Sequence, residues 1–156
     1  MIRCRRKNLA AKRMSAPALK LYGRSAEDMR VISSYLQDAV AQIGDMAYLA
    51  DEKRFVILFN RFCWEHDGAP MRVRSALQLA NVAAIRQKKL NLTRRDGVVA
   101  LLAIAFEPRA LPEGEFALQF AGGGEIRLAV EACEAILEDI TAPWAASSRP
   151  QHDLEE

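Results

Sequence analysis

Residues 116–130 have the sequence FALQFAGGGEIRLAV, and this stretch decides the fold class. Apolar side chains alternate with other side chains on each side of three consecutive glycines, and this is the period of a β-strand with one buried face. Gly122, Gly123 and Gly124 separate the two runs. Because glycine adopts the positive φ angles of a tight turn without steric cost, the stretch predicts a β-hairpin.

Further strands are predicted before this hairpin. Short apolar runs at 18–22, 45–50 and 54–64 predict three strands, and the nine-residue apolar run 98–106 predicts a buried one. Residues 72–92 are ambiguous, because their first half alternates like a strand and their second half is rich in helix-forming residues. We favour strands there, since the flanking segments all have β patterns.

Two helices are predicted, one near each end of the chain. Ser25 with Asp28 three residues later is close to a capping box, and the apolar spacing after it predicts a helix that ends before Gly44. Apolar residues at helical spacing between Val130 and Ile140 predict a second helix, which ends at Ala142-Pro143.

The predicted fold class is therefore α+β: a mostly antiparallel sheet of about six to seven strands, with one helix near the N-terminus and one at the C-terminus. Strands followed by a closing helix resemble the order of a pleckstrin-homology-type barrel. We expect a single domain at 15–144, a basic leader or misassigned start at 1–14, and a disordered tail at 145–156.

Composition excludes two classes of protein. Hydrophobic residues make up 51% of the chain and charged residues 27%, so the chain is not of the intrinsically disordered class. The longest apolar run has nine residues, whereas a helix that spans a bilayer needs about 20.

The basic charge is concentrated at the N-terminus. Residues 1–13 hold six of the 22 basic residues and no acid. Residues 145–156 hold one basic and three acidic residues, so 15 basic and 17 acidic side chains remain in 14–144. The leader lacks the apolar core of a secretory signal, so we interpret it as a tail or as sequence upstream of a start at Met14, with a nucleic-acid arm as the alternative. Three cysteines without a close pair fit a cytoplasmic protein.

A run of cations between residues 72 and 95 is the strongest functional candidate. It contains seven basic residues and no acid: Arg72, Arg74, Arg86, Lys88, Lys89, Arg94 and Arg95. Such a run is able to neutralise phosphates on nucleic acid or another anionic ligand. The alternatives are a solvated strand face, or a surface complementary to the acid-rich residues 97–144, within the chain or across a subunit contact.

Other candidate chemistry has a simpler structural interpretation. A strand and not a helix follows the three glycines, so they form a turn and not a phosphate loop. Cys63 and His66 have the spacing of half a metal site, but a structural zinc takes four ligands. Arg61 and Glu65 fall on one face of a strand and are expected to form a structural ion pair. No motif for a cofactor, metal or catalytic residue is found.

Several motifs together resemble a family. Asn60-Arg61-Phe62 with Trp64-Glu65, the hairpin Phe120–Leu128 and Pro143-Trp144 are similar to a family of small bacterial proteins, mainly alphaproteobacterial, that is defined as a domain of unknown function. The resemblance implies a cytoplasmic bacterial protein that starts near Met14. It implies no activity, cofactor or site residue.

The function predicted from these observations is a non-enzymatic cytoplasmic interaction module with a protein partner or a second copy of itself. The first alternative is binding of nucleic acid or an anionic ligand through residues 72–95. The second is a small enzyme that uses Cys63, Glu65 and His66.

Overall fold

The computed structural model describes residues 18–65 and 68–146, which contain one α-helix and eleven β-strands. The helix α1 spans Ala26–Tyr35. The strands are β1 Lys20–Gly23, β2 Val40–Gln42, β3 Met46–Leu49, β4 Arg54–Phe62, β5 Met71–Leu79, β6 Val82–Lys88, β7 Val98–Pro108, β8 Gly114–Phe120, β9 Glu125–Val130, β10 Ala135–Asp139 and β11 Trp144–Ala145.

All strand pairs in the described residues are antiparallel, and they form one open sheet. Its order is β1-β10-β5-β4-β2-β7-β8-β9-β6, with β11 beside β5 and β3 beside β4. The short strand β2 pairs with β4 through Val40 and with β7 through three residues, so it joins two halves of the sheet.

Strand alternation gives the second half one apolar and one polar face. Across β6, β9, β8 and β7 the registered row Ile85, Leu128, Phe116 and Phe106 lies on the core side. The adjacent row is Arg86, Arg127, Ala117 and Ala105, on the opposite face. Because successive side chains of a strand point to opposite faces, the charged residues of these strands are collected on one surface.

One hydrophobic core is shared by both halves of the sheet and by α1. Phe59 of β4 and Leu77 of β5 are fully buried in the same cluster as Phe116 of β8 and Leu128 of β9. Met29 and Ile32 form the buried face of α1 and belong to that cluster. The three- and four-residue spacing of the helix therefore serves to cover the sheet.

The N-terminal helix is confirmed but is shorter than predicted. Ser25 Oγ accepts a hydrogen bond from Asp28 N (3.1 Å), and Asp28 Oδ2 accepts one from Arg24 N (2.9 Å), which completes the predicted cap. The helix ends at Tyr35, not just before Gly44. Asp38 has φ 64°, and this left-handed residue turns the chain into β2.

The predicted C-terminal helix is wrong. Residues 135–139 form β10, which pairs with β5 on one side and β1 on the other. The closing helix on which the comparison with a pleckstrin-homology-type barrel relied is thus a strand. The count of six to seven strands is also too low, because the short strands β2, β10 and β11 were not predicted and the segment 72–92 holds two strands.

The remaining elements agree with the sequence predictions. The ambiguous segment 72–92 consists of strands β5 and β6, and the glycine hairpin joins β8 to β9. The chain has an α+β fold with a mostly antiparallel sheet. In the part of the chain described above, the one helix is neither long nor apolar enough to cross a bilayer. The predicted leader and nearly all of the predicted tail lie outside the described residues.

Candidate functional site

The seven cations between residues 72 and 95 do not form one surface. Arg72 and Arg74 lie on β5, in the interior of the sheet order, whereas Arg86 and Lys88 lie on β6 at its end. Their partners are mostly in the same chain. Six of them make the following contacts: Arg74 to Asp45 (3.0 Å), Arg86 to Glu115 (2.6 Å), Lys88 to Glu125 (3.4 Å), Arg94 to Asp96 (3.5 Å), Arg72 to Asn60 O (3.2 Å) and Arg95 to Gly44 O (3.1 Å).

This pairing agrees with one alternative from the sequence, a cationic surface complementary to the acid-rich last third of the chain. The match is made within one molecule, because Arg86 and Lys88 bind acids of β8 and β9. Lys89 follows β6, and its side chain lies 3.4 Å from the position that a Cβ on Gly123 would take. The basic run is thus distributed among several intramolecular contacts.

Glu115 is the centre of the charged face on the second half of the sheet. Its carboxylate lies 2.6 Å from Arg86 and 2.9 Å from both Arg109 and Arg127. Burial raises the pKa of Glu115, but the hydrogen bonds from Arg86 and Arg127 outweigh this effect, so the pKa lies below its usual value. The hydrogen bonds that Arg127 donates to Glu107 and Glu115 in turn raise the pKa of Arg127. Glu115 and Arg127 therefore stay ionised at neutral pH.

Arg61 is the centre of a second network, inside the first half of the sheet. Its guanidinium is fully buried and donates two hydrogen bonds to Glu65 (3.1 and 2.9 Å) and two to Asp139 (3.0 and 2.9 Å). It also donates to Ser75 Oγ (3.2 Å) and Phe62 O (3.3 Å). All five N–H groups of the side chain are thereby used.

The Arg61 network has a structural role. Burial lowers the pKa of Arg61, but the bonds to Glu65 and Asp139 raise it above its ordinary value, so the charge is retained. The predicted pair of Arg61 and Glu65 is confirmed. The sequence could not identify Asp139 as a member of this network. The ion pair between Arg61 and Asp139 ties β4 to β10.

Two of the three residues of the enzyme alternative, Cys63 and Glu65, lie in the described part of the chain. Cys63 is buried, with 1% of its surface exposed, and both carboxylate oxygens of Glu65 accept hydrogen bonds from Arg61. His66 lies outside the described residues. Residues 18–65 and 68–146 contain no group of three side chains of the types that hold a metal ion.

The neighbouring motif residues also have structural contacts. Asn60 Oδ1 accepts a hydrogen bond from Arg74 (3.0 Å), and Trp64 Nε1 donates to Gln37 O (3.2 Å). These contacts tie the end of β4 to β5 and to the segment after α1.

The three glycines form a hairpin turn, as predicted. Gly122 and Gly123 have φ angles of 87° and 93°, which side chains rarely adopt. Gly124 has an ordinary φ but lies against Leu90, so that a Cβ there would overlap the leucine side chain. Every glycine of the motif therefore has a structural explanation.

A cleft between β3 and β6 is the surface that the sequence did not predict. It has a volume of about 200 Å³ and is mostly apolar. Its lining comes from the segment 43–48, from Phe55, from β6, from Ile126 and from the loop after β6: Ile43, Met46, Ala47, Tyr48, Phe55, Ile85, Gln87, Leu92, Arg95 and Ile126. No local pattern indicates this cleft, because it depends on which strands end up beside each other.

Both strands that flank the cleft are at the edge of the sheet. In residues 18–65 and 68–146, β3 pairs only with β4, and β6 pairs only with β9. At one end the two edges meet, where Tyr48 OH donates to Val82 O (3.4 Å). Val82 N also donates to Lys53 O (2.8 Å) there. Beyond Val82, alternate residues of β6 direct their main-chain groups away from β9 and toward the cleft side.

The comparisons with known proteins identify a family and no individual relative. No curated protein and no solved structure matches the chain. The family model DUF2948, described as a protein of unknown function, matches residues 19–152. This match covers most of the chain, including the whole sheet and α1. The chain belongs to the DUF2948 family.

Proposed function

We propose that this domain is a non-enzymatic binding module that takes an extended segment of a partner protein into the cleft between β3 and β6. The observation that carries the proposal is the coincidence of an apolar cleft with two strand edges that have no strand partner among residues 18–65 and 68–146. An extended peptide gains main-chain hydrogen bonds when it adds to such an edge, and its side chains gain specificity from the adjacent pocket.

The cleft is of a size to hold side chains of a bound peptide segment and is small for a whole small molecule. Its volume of about 200 Å³ lies below the range of about 300–1,000 Å³ that is typical of small-molecule sites. Leu92 at its rim is 43% exposed, and Tyr48 is 41% exposed. Apolar side chains of a bound segment would cover both, and this burial is the main source of affinity at protein interfaces.

The two alternatives have less support in the geometry. A nucleic-acid site needs many cations on one surface, whereas the basic run is divided between β5, inside the sheet order, and β6, at its end. An enzyme needs convergent reactive groups in a pocket, and the apolar cleft contains only Arg95 as a charged group among its lining residues.

Selection from a random peptide display library on the full chain tests the proposal. The selected peptides are then measured by fluorescence anisotropy against the native chain, Leu92→Asp and Leu102→Asp. Leu92 lines the cleft, and Leu102 is a matched control, because it is 49% exposed and lies on β7 away from the cleft.

We expect selected peptides to bind the native chain and L102D with equal affinity and to bind L92D at least tenfold more weakly. Thermal melts of the two variants should agree, since both leucines are exposed. Failure to enrich any peptide, or peptides that bind L92D as tightly as the native chain, would contradict the proposal.

A further inference from the structure

The two faces of β6 differ sharply in chemistry. Ile85 is in register with Leu128, and Gln87 with Ile126, so these two side chains lie on the core side and line the cleft. Arg86 is in register with Arg127, and Lys88 with Glu125, on the opposite face. The strand therefore alternates between positions at the cleft and positions on the charged face.

A segment that pairs with β6 must continue this alternation. Residues directly opposite each other on paired strands lie on the same face, with Cβ atoms about 4.5–5.5 Å apart. Positions of the segment opposite Ile85 and Gln87 would thus face the cleft. Positions opposite Arg86 and Lys88 would face the charged surface.

The exposed charge at this edge is positive, although each of the two cations of β6 is paired with an acid. The side chains of Arg86 and Lys88 are each 66% exposed, whereas those of their partners Glu115 and Glu125 are 9% and 13% exposed. The acids lie beneath the cations, so a strand added at the edge meets guanidinium and ammonium groups. Arg95 adds a further cation among the residues that line the cleft.

From this geometry we infer that the partner segment alternates apolar and acidic residues, with the apolar set in the cleft and the acidic set beside Arg86 and Lys88. The inference rests on the proposed function and specifies its partner. Opposite charges across paired strands attract and like charges repel, so the cations select an acidic strand and reject a basic one.

The same cations disfavour a second copy of this chain as the occupant. Two-fold pairing of β6 with the β6 of another molecule is antiparallel, and in the register centred on Gln87 it brings Arg86 of each molecule opposite Lys88 of the other. Like charges in that position are destabilising. Charged side chains on an edge strand are a common protection against such pairing. The occupant is therefore a different chain.

Three synthetic ten-residue peptides test the inference by fluorescence anisotropy with the full chain. One alternates isoleucine and glutamate, one alternates isoleucine and lysine, and the third has the composition of the first in two blocks. The variant Arg86→Gln/Lys88→Gln removes the two cations. Lys20→Gln/Arg30→Gln is its control, because it removes the same charge from exposed residues of β1 and α1.

We expect the alternating acidic peptide to bind more tightly than both other peptides. R86Q/K88Q should weaken its binding by about two- to thirty-fold, as expected for two cross-strand charge pairs, and K20Q/R30Q should leave it unchanged. Most of the difference between the acidic and lysine peptides should vanish at 1 M salt, where the Debye length is about 3 Å.

Two outcomes would overturn the inference, and they are distinguishable. If the lysine peptide binds as tightly as the acidic one and L92D weakens both, the cleft binds extended segments but the charge assignment is wrong. If no peptide binds, or if binding is insensitive to L92D, the proposed function itself fails.

Discussion

Arg61 and Asp139 are 78 positions apart in the sequence, and Arg61 Nη2 lies 2.9 Å from Asp139 Oδ2 inside the sheet. The arginine side chain is fully buried and that of Asp139 is 9% exposed. Ser75 Oγ donates to the same carboxylate (2.6 Å), and so does Leu19 N (3.2 Å). The network joins β4, β5, β10 and the segment before β1.

Replacement of Arg61 should be strongly destabilising. Arg61→Met leaves the carboxylates of Glu65 and Asp139 without their cation in a largely buried site, and loss of one partner of a buried pair costs about 3–5 kcal/mol. Urea denaturation measures the change. Arg94→Met is the control, because Arg94 and its partner Asp96 are 71% and 81% exposed, and it should cost under about 1 kcal/mol. Equal effects of the two variants would show that the buried network is not a source of stability.

The hairpin turn should tolerate asparagine better than valine. Gly122 has φ 87° and no atom within 4 Å of the position of an added Cβ, so a substitution there causes backbone strain without a steric clash. Gly122→Val should lower the free energy of unfolding by about 1–3 kcal/mol. Gly122→Asn should cost less, because asparagine adopts positive φ more often. Equal losses for both variants, measured by chemical denaturation, would contradict this explanation.

Acid should destabilise the protein partly through Glu115. Its pKa is lower in the folded chain than the usual value of about 4.3, so the folded state binds this proton less readily than the unfolded state. The resulting stabilisation is fully present above about pH 4.3 and is lost as the pH falls through the lower folded value. Glu115→Gln should therefore flatten the fall of stability with pH in this acidic range, whereas the exposed Glu113→Gln should not. An unchanged slope in E115Q would contradict the assigned role of the three arginines.

The free protein should be a monomer. Like charges on β6 oppose two-fold pairing through that edge, so sedimentation equilibrium at low salt should give the chain mass of 17.4 kDa. A stable dimer that is lost in L92D would place a second copy in the cleft and contradict the argument.

Most strands could be predicted from the sequence because their alternation is local. β4, β5 and β9 each bury every second residue against the core, and β8 places its alternating residues Phe116, Leu118 and Phe120 there, so the period is visible without any tertiary information. β10 could not be predicted in this way. Its residues Ala135, Leu137 and Glu138 are good helix formers, and pairing with β5 and β1, which are distant in sequence, decides their conformation.

The candidate sites show the same limit. Arg61 and Glu65 are close in sequence, and they pair because β4 ends at Phe62 and the chain then turns, whereas Asp139 reaches Arg61 only through the position of β10. The basic run was visible as composition, but its division between β5 and β6 depends on strand order. The cleft depends on that order too, since it exists where two edges of the sheet approach each other.

Hydrogen–deuterium exchange of the β6 amides tests strand addition most directly. The full chain is measured alone and with a saturating concentration of the alternating isoleucine–glutamate peptide. Amides of alternate residues within 83–88 should exchange at least tenfold more slowly with the peptide, because they donate to its carbonyls. The amides of β1, at the opposite end of the sheet order, should not change. Tight binding of the peptide with unchanged exchange along β6 would contradict the account.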